Sequence, residues 1–302
     1  MTDLRVPPVF AARAPRVLGP GAVPWLAALP ALAAGYAREW GLTFEGEAMH
    51  GYVGVVQPAR RADGTPVVLK LGWRDHESAG EPVALSTWAG RGAVLLLDSA
   101  PDDGVLLLER LDAGRTLDHL PLREAVPILG ELARRLAVPA PPELTRSVRA
   151  EAARLVEELP RRWTELGEPF DRRLVDDAVA ICRELGPSSG SALVNEDLHF
   201  QNVLAGQREP WLVIDPKPLA GDLEYGVIPL FWNRFTESTL DERMALIVAS
   251  QELDAGKARA WTLVRAVQNW LWMVEESAEH GVDRDDPAFV TVPEIAAWAT
   301  SR

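Results

Sequence analysis

The chain has a single cysteine among 302 residues. Cys182 therefore has no partner for an intramolecular disulfide, and the fold needs no oxidising compartment. One thiol also excludes a thiolate zinc site, and the five scattered histidines form no HExxH. No run of about 18 apolar residues exists to span a membrane. The first 16 residues lack the apolar core of a secretory signal, so a cytoplasmic protein is expected. Basic residues are scarce: 31 Lys and Arg against 44 Asp and Glu give a formal charge of −13. Neutralising nucleic-acid phosphates requires a basic face, so the balance argues against nucleic acid as a partner, and against an anionic membrane surface. The same charge suits a cationic small molecule. There is no GxSxG nucleophile elbow and no GxGxxG.

What is present reads as a globular enzyme. Hydrophobic residues at 47% and charged residues at 25% are ordinary for a soluble domain, and the length supports two lobes. Residues 1–20 read as a loose Pro-rich arm. Residues 25–40 read as a helix stopped by Gly41. From 42 to 111 the texture is that of a small sheet with one helix. Apolar runs at 53–56 and 67–71 flank an Asp63-Gly64 hairpin signal. Two more strands are expected at 94–97 and 105–108, and a helix at 75–88. The division expected is therefore an N-terminal lobe of residues 1–111 and a helical C-terminal lobe of residues 112–302. In the latter, Asp171 caps a helix that Gly186 ends. A β island follows, with a strand at 192–194 and a hairpin of 203–205 with 211–214. A long helix covers 255–280.

Chemistry concentrates in that island. Asp197 follows an apolar strand. Asn202 lies five residues on and opens the hairpin, and Asp215 ends its returning strand. The hairpin predicts Asn202 and Asp215 opposite one another within a residue of register. Magnesium takes hard oxygen ligands and completes its shell with waters and phosphates, which suits an Asn with an Asp. Asp197 is then left to orient an attacking hydroxyl and accept its proton. Lys70 stands inside an apolar strand, where a charge needs an anionic partner. Triphosphate oxygens supply one, and Glu81 on the next helix is expected to hold the lysine, with Glu77 as competitor. Residues 49–54 are a weak candidate for a loop over the phosphates. Glu109 to Leu111 joins the two halves, and its backbone is expected to meet the nucleotide base. His199 is read as a structural hydrogen-bonder.

Acidic residues crowd the segments expected to face an acceptor: Glu196, Asp222 and Glu224 near the metal, and Glu275 on the long helix. Asn269, Trp272 and Glu275 recur every three residues, near one helical face. A guanidinium or ammonium group would meet the carboxylate and stack on the indole.

These segments resemble the aminoglycoside phosphotransferase superfamily, within it the streptomycin 6-phosphotransferase and hydroxyurea-kinase group. The resemblance runs over nearly the whole chain. It rests on Leu29-Pro30-Ala31-Leu32, on residues 61–71, on Leu107-Leu108-Glu109-Arg110-Leu111, on Glu196-Asp197-Leu198-His199 through Asn202, on residues 211–222, and on Trp261 through Trp272. It implies an α+β bilobal protein-kinase-like fold and transfer of the γ-phosphoryl of ATP, with GTP as the other donor and magnesium as cofactor. It also implies an acceptor hydroxyl on a streptomycin-like aminoglycoside. The alternatives are hydroxyurea or another small metabolite, and a nucleotide-binding pseudokinase. Three positions depart from the superfamily: Asn195-Glu196 stands where His-Gly is usual, and Gly226 where an Asp is frequent.

Overall fold

A computed structural model describes residues 3–280 and 288–300. The chain divides into two compact units. The first runs to Asp112 and takes in Gly206–Pro210; the second comprises Ala113–Ala205 and the chain from Trp211.

The first unit opens with helices α1 (Pro8–Val17) and α2 (Ala22–Glu39). Strands β1 (Leu42–Phe44), β2 (Met49–His50), β3 (Gly54–Arg61) and β4 (Pro66–Gly72) follow, then α3 (Glu81–Trp88), β5 (Leu96–Ala100) and β6 (Val105–Glu109). The sheet runs β1-β3-β4-β6-β5, with β2 paired on β3. The Asp63-Gly64 turn forms as expected. Gly64 takes φ +88°, and Asp63 Oδ1 accepts the Thr65 N–H. Alternation along β4 sends Val67, Leu69 and Leu71 into a core shared with Phe10, Leu29 and Ala33 of the two helices. Lys70 therefore emerges on the opposite face.

Three expectations are corrected here. The arm is not loose, because α1 buries Phe10 and Ala14 one turn apart, with Pro8 at its start, where a fixed φ is favourable. Helix α2 starts at Ala22, ahead of residue 25. Residues 75–80 are not helical: Asp75 Oδ1 accepts the Glu77 and Ser78 amides, a side-chain turn that competes with helix. Helix α3 starts only at Glu81, with Pro82 in its first turn.

In the second unit, β7 (Asp112–Thr116) leads to α4 (Leu122–Leu136), α5 (Val148–Glu165) and α6 (Arg172–Leu185). Asp171 caps α6 by accepting the Arg173 N–H. Cys182 is buried in α6, and burial pushes its thiol up to about 12, which leaves it unreactive. Next come β8 (Ala192–Asn195), β9 (Val203–Ala205), β10 (Trp211–Val213) and β11 (Pro218–Gly221). Helices α7 (Pro229–Trp232), α8 (Leu240–Gln251), α9 (Ala255–His280) and α10 (Ala288–Thr300) complete the unit. Strand β8 pairs antiparallel with β11, and the β9–β10 hairpin forms a separate sheet with β7. No helix among the described residues is long and apolar enough to cross a membrane.

Candidate active site

The hairpin register governs the site. Val203 faces Val213 and Leu204 faces Leu212. Beyond the last pair, Ile214 donates its N–H to the Asn202 carbonyl at 2.9 Å. Asn202 and Asp215 thus lie one residue apart in register. Asn202 Nδ2 donates to the Asp197 carbonyl at 3.0 Å, which turns its amide oxygen the other way. Asp215 has φ +50°, in the left-handed region that only Asp, Asn and Gly enter readily. Backbone strain of this kind is retained where surrounding structure enforces it, commonly at functional sites. An amide oxygen and a carboxylate at one hairpin mouth fit magnesium, which needs few protein ligands when phosphates supply the rest.

Asp197 is half-buried. Its carboxylate lies 3.9 Å from Lys217 Nζ and 4.0 Å from His199 Nε2. His199 is not a cation here: burial lowers its pKa from 6.5 to about 4. Its Nδ1 accepts the Gln201 N–H at 3.3 Å, which places the ring proton on Nε2, facing Asp197. Asn195 supports the loop from the other side, with Oδ1 accepting both the Asp197 and the Lys217 amides at 3.0 Å. A short polar side chain bonding two residues on is a recognised turn former. That signal was available in the sequence, where Asn195 registers only as a departure. Gly226 has a steric reason: a Cβ there would stand 2.7 Å from the Asn195 carbonyl oxygen.

In the first unit, Lys70 Nζ contacts both oxygens of Glu81 at 2.6 Å, with both side chains nearly buried. Glu81 therefore takes the pairing position rather than Glu77. Residues 49–54 are engaged by Arg13, which donates to the Gly51 and Tyr52 carbonyls at 2.9 Å. Glu109 N–H is bonded to the Leu95 carbonyl. The Glu109 carboxylate accepts from Leu95 N and from Arg208 Nη2 at 2.8 and 2.6 Å. Any base contact at this segment thus falls to the remaining backbone groups, such as those of half-buried Leu111. Arg208 also donates to the Gly90 and Ala93 carbonyls, a role that nothing in the sequence announces.

The expected acceptor residues are not brought together as one open acidic wall. Glu196 is the clearest correction. It is 2% exposed and sits between Arg146 Nη2 at 2.6 Å and Arg265 Nη2 at 3.2 Å. Asp222 accepts from Gly190 N at 2.9 Å and lies 3.5 Å from Lys257 Nζ. Glu224 accepts the Asp254 N–H. On α9, Asn269 donates to the Arg265 carbonyl, Glu275 pairs with Arg162, and Trp272 is 42% exposed.

A small sheet-rich unit bearing a nearly buried lysine–glutamate pair, and a helical unit bearing an aspartate loop and an Asn–Asp hairpin, are the parts of a protein-kinase-like fold. Residues 39–277 match the family of aminoglycoside/hydroxyurea antibiotic resistance kinases, and the chain belongs to it. A hydroxyurea phosphotransferase of Kitasatospora aureofaciens is 47% identical over 82% of this chain and 74% of its own length. A streptomycin 6-kinase of Streptomyces glaucescens is 38% identical over 96% of each chain. A choline kinase of Streptococcus pneumoniae shares the fold with TM-score 0.56 at 14% identity, over 90% of this chain and 98% of that one.

Proposed function

We propose that this enzyme transfers the γ-phosphoryl group of ATP, with magnesium, to a hydroxyl of a streptomycin-like aminoglycoside in the cytoplasm. The observation that carries the chemistry is the hairpin register that sets Asn202 and Asp215 side by side, with Asn202 bonded to the backbone of Asp197. Lys70, held by Glu81, binds the triphosphate oxygens. Asn202 and Asp215 would hold magnesium, which would supply positive charge to the phosphates. Asp197 orients the acceptor hydroxyl and takes its proton as the oxygen bonds to the γ-phosphorus. The bond to the bridging oxygen breaks, and ADP leaves with its electrons. Neutral His199 hydrogen-bonds within the loop and does not compete as a base. Retention of Lys70, Asp197, Asn202 and Asp215 together speaks against a pseudokinase, because a pure binder has no use for Asp197.

For the acceptor, the match to a streptomycin 6-kinase along 96% of both chains supports an aminoglycoside. Trp272, exposed on α9 three residues before Glu275, supplies an aromatic surface beside a carboxylate for a cationic group. A second reading, hydroxyurea, is favoured by the internal cations that occupy Glu196, Asp222 and Glu275, since a small neutral acceptor needs no open carboxylates. Incubation with ATP or GTP and a panel of streptomycin, other aminoglycosides and hydroxyurea, read by mass, separates them. A phosphoryl-sized shift on streptomycin is expected. Efficient phosphorylation of hydroxyurea with streptomycin unmodified overturns the aminoglycoside assignment.

A further inference from the structure

We propose that Glu196 is a positioning residue that fixes Asp197 against helices α5 and α9 through two arginines, and that it does not bind the acceptor. The inference rests on the reading of Asp197 as the catalytic base.

Glu196 adjoins Asp197, and its side chain is 1% exposed, so no substrate cation reaches it. A carboxylate in such a place is costly unless cations compensate it. Arg146 and Arg265 approach one oxygen each. Neither oxygen has an aligned hydrogen bond, so the attraction is chiefly one of charge. The backbone is pinned as well, because Glu196 N donates to the Lys217 carbonyl at 3.0 Å. With Asn195 Oδ1 holding Asp197 N, the loop is fixed by the two residues preceding the base.

Both arginines are anchored in turn. The Arg265 guanidinium lies 5.0 Å from the ring centre of buried Tyr225 and donates to Gln268 Oε1 at 2.8 Å, while the Arg265 carbonyl accepts from Asn269. Arg146 has its carbonyl bonded to Ala220 N on β11 and its guanidinium 3.5 Å from Glu151. From Glu151, charges alternate along α5 through Arg154, Glu158 and Arg162 and end on Glu275 of α9. The catalytic loop is therefore tied to α9 by a direct route through Arg265 and by a longer one along α5. The acceptor residues proposed on α9 and the base on the loop are held by one connected set of charges. Misplacing a reacting group by about 1 Å costs on the order of 10²-fold in rate, which gives such a linkage a catalytic consequence.

The test uses Glu196→Gln, which keeps shape and removes charge. Expected are a fall of at least about tenfold in kcat for the acceptor, a nucleotide KM little changed, and a larger share of turnover spent on water-directed ATP hydrolysis. The double variant Glu196→Gln with Arg265→Met removes one uncompensated cation. Its Tm should recover toward wild type while its kcat should not. A purely structural role predicts that both recover together, and that result overturns the inference, as does wild-type kcat and coupling in Glu196→Gln. If Glu196→Gln does not fold, Arg265→Met is read instead: it removes one of the two charges that hold Glu196, so the same kcat loss and uncoupling are expected, and wild-type coupling overturns the idea. Asp197→Ala is the control. If it retains turnover, the base is misassigned; if it is inactive while Glu196→Gln matches wild type, only the positioning role fails.

Discussion

The first unit and the second each bury a glutamate against cations, and the two arrangements differ in reach. Glu81 meets Lys70 eleven residues away, in the helix that follows the strand. Glu196 meets Arg146 and Arg265, which come from segments far before and far after it in the chain. On the proposed reading the Lys70 ammonium binds, because a nearly buried lysine oriented by a carboxylate is ready for phosphate oxygens. On the same reading the Glu196 cluster holds the loop next to Asp197. The division proposed is thus affinity from one unit and rate from the other, and the sequence exposes the short-range pair more readily than the long-range one.

The sharpest way to break this division is Asp197→Ala. A positioned base contributes about 10²–10⁴-fold, so turnover should fall by that much while nucleotide affinity, measured by calorimetry, stays near wild type. Equal losses in both would erase the contrast between units. The complement is Lys70→Met. It should weaken nucleotide binding and also destabilise the fold by roughly 3–5 kcal/mol, since removing one partner leaves the Glu81 charge buried. Adding Glu81→Leu should restore stability in a denaturant titration without restoring affinity. Recovery of affinity with stability would show that Lys70 has only a packing role.

The loop itself is open to a pH test. His199 is held neutral by burial, with a pKa near 4 against 6.5 unfolded. As pH falls from 6.5 toward 4 the unfolded chain takes up a proton that the folded one refuses, so stability declines over that window, by on the order of 2–3 kcal/mol. The difference between wild type and His199→Asn in unfolding free energy should show this slope, and parallel pH curves would contradict the buried, neutral ring. At the hairpin, Asp215→Asn should keep the left-handed backbone and weaken magnesium-dependent nucleotide binding. Asp215→Ala should do both harms, adding roughly 1–2 kcal/mol of strain. Unchanged metal dependence in both would remove Asp215 from the ligand set. The smallest effect is expected on α9. Glu275 pairs with Arg162 near the surface, where ion pairs contribute about 0–1 kcal/mol, so Glu275→Lys should scarcely move stability. It should raise KM for a cationic acceptor and leave that for hydroxyurea alone. Equal KM changes for both acceptors would mean that this carboxylate does not recognise charge.

Much of this was legible in the sequence for reasons of local geometry. Alternation along residues 67–71 forces Lys70 to the face opposite Leu69 and Leu71, and Asp63-Gly64 sets the turn before it. The hairpin period places Asn202 and Asp215 within one residue of register, because β pairing allows no other outcome once the turn is fixed. The family resemblance added the family, which the match over residues 39–277 establishes, and the kinase fold, which the likeness to the choline kinase bears out. The start of α3 was less legible, since Asp75 bonds its own downstream amides and diverts residues that otherwise suit a helix. What only the tertiary structure decided is which carboxylates remain open. Glu196, Asp222 and Glu275 look alike as letters expected to face a cationic acceptor, yet each is taken by a cation of the same chain. Charge pairing acts through space and leaves no period along the chain, so the partners of Glu196 had to await the packing of α5 and α9 around the loop.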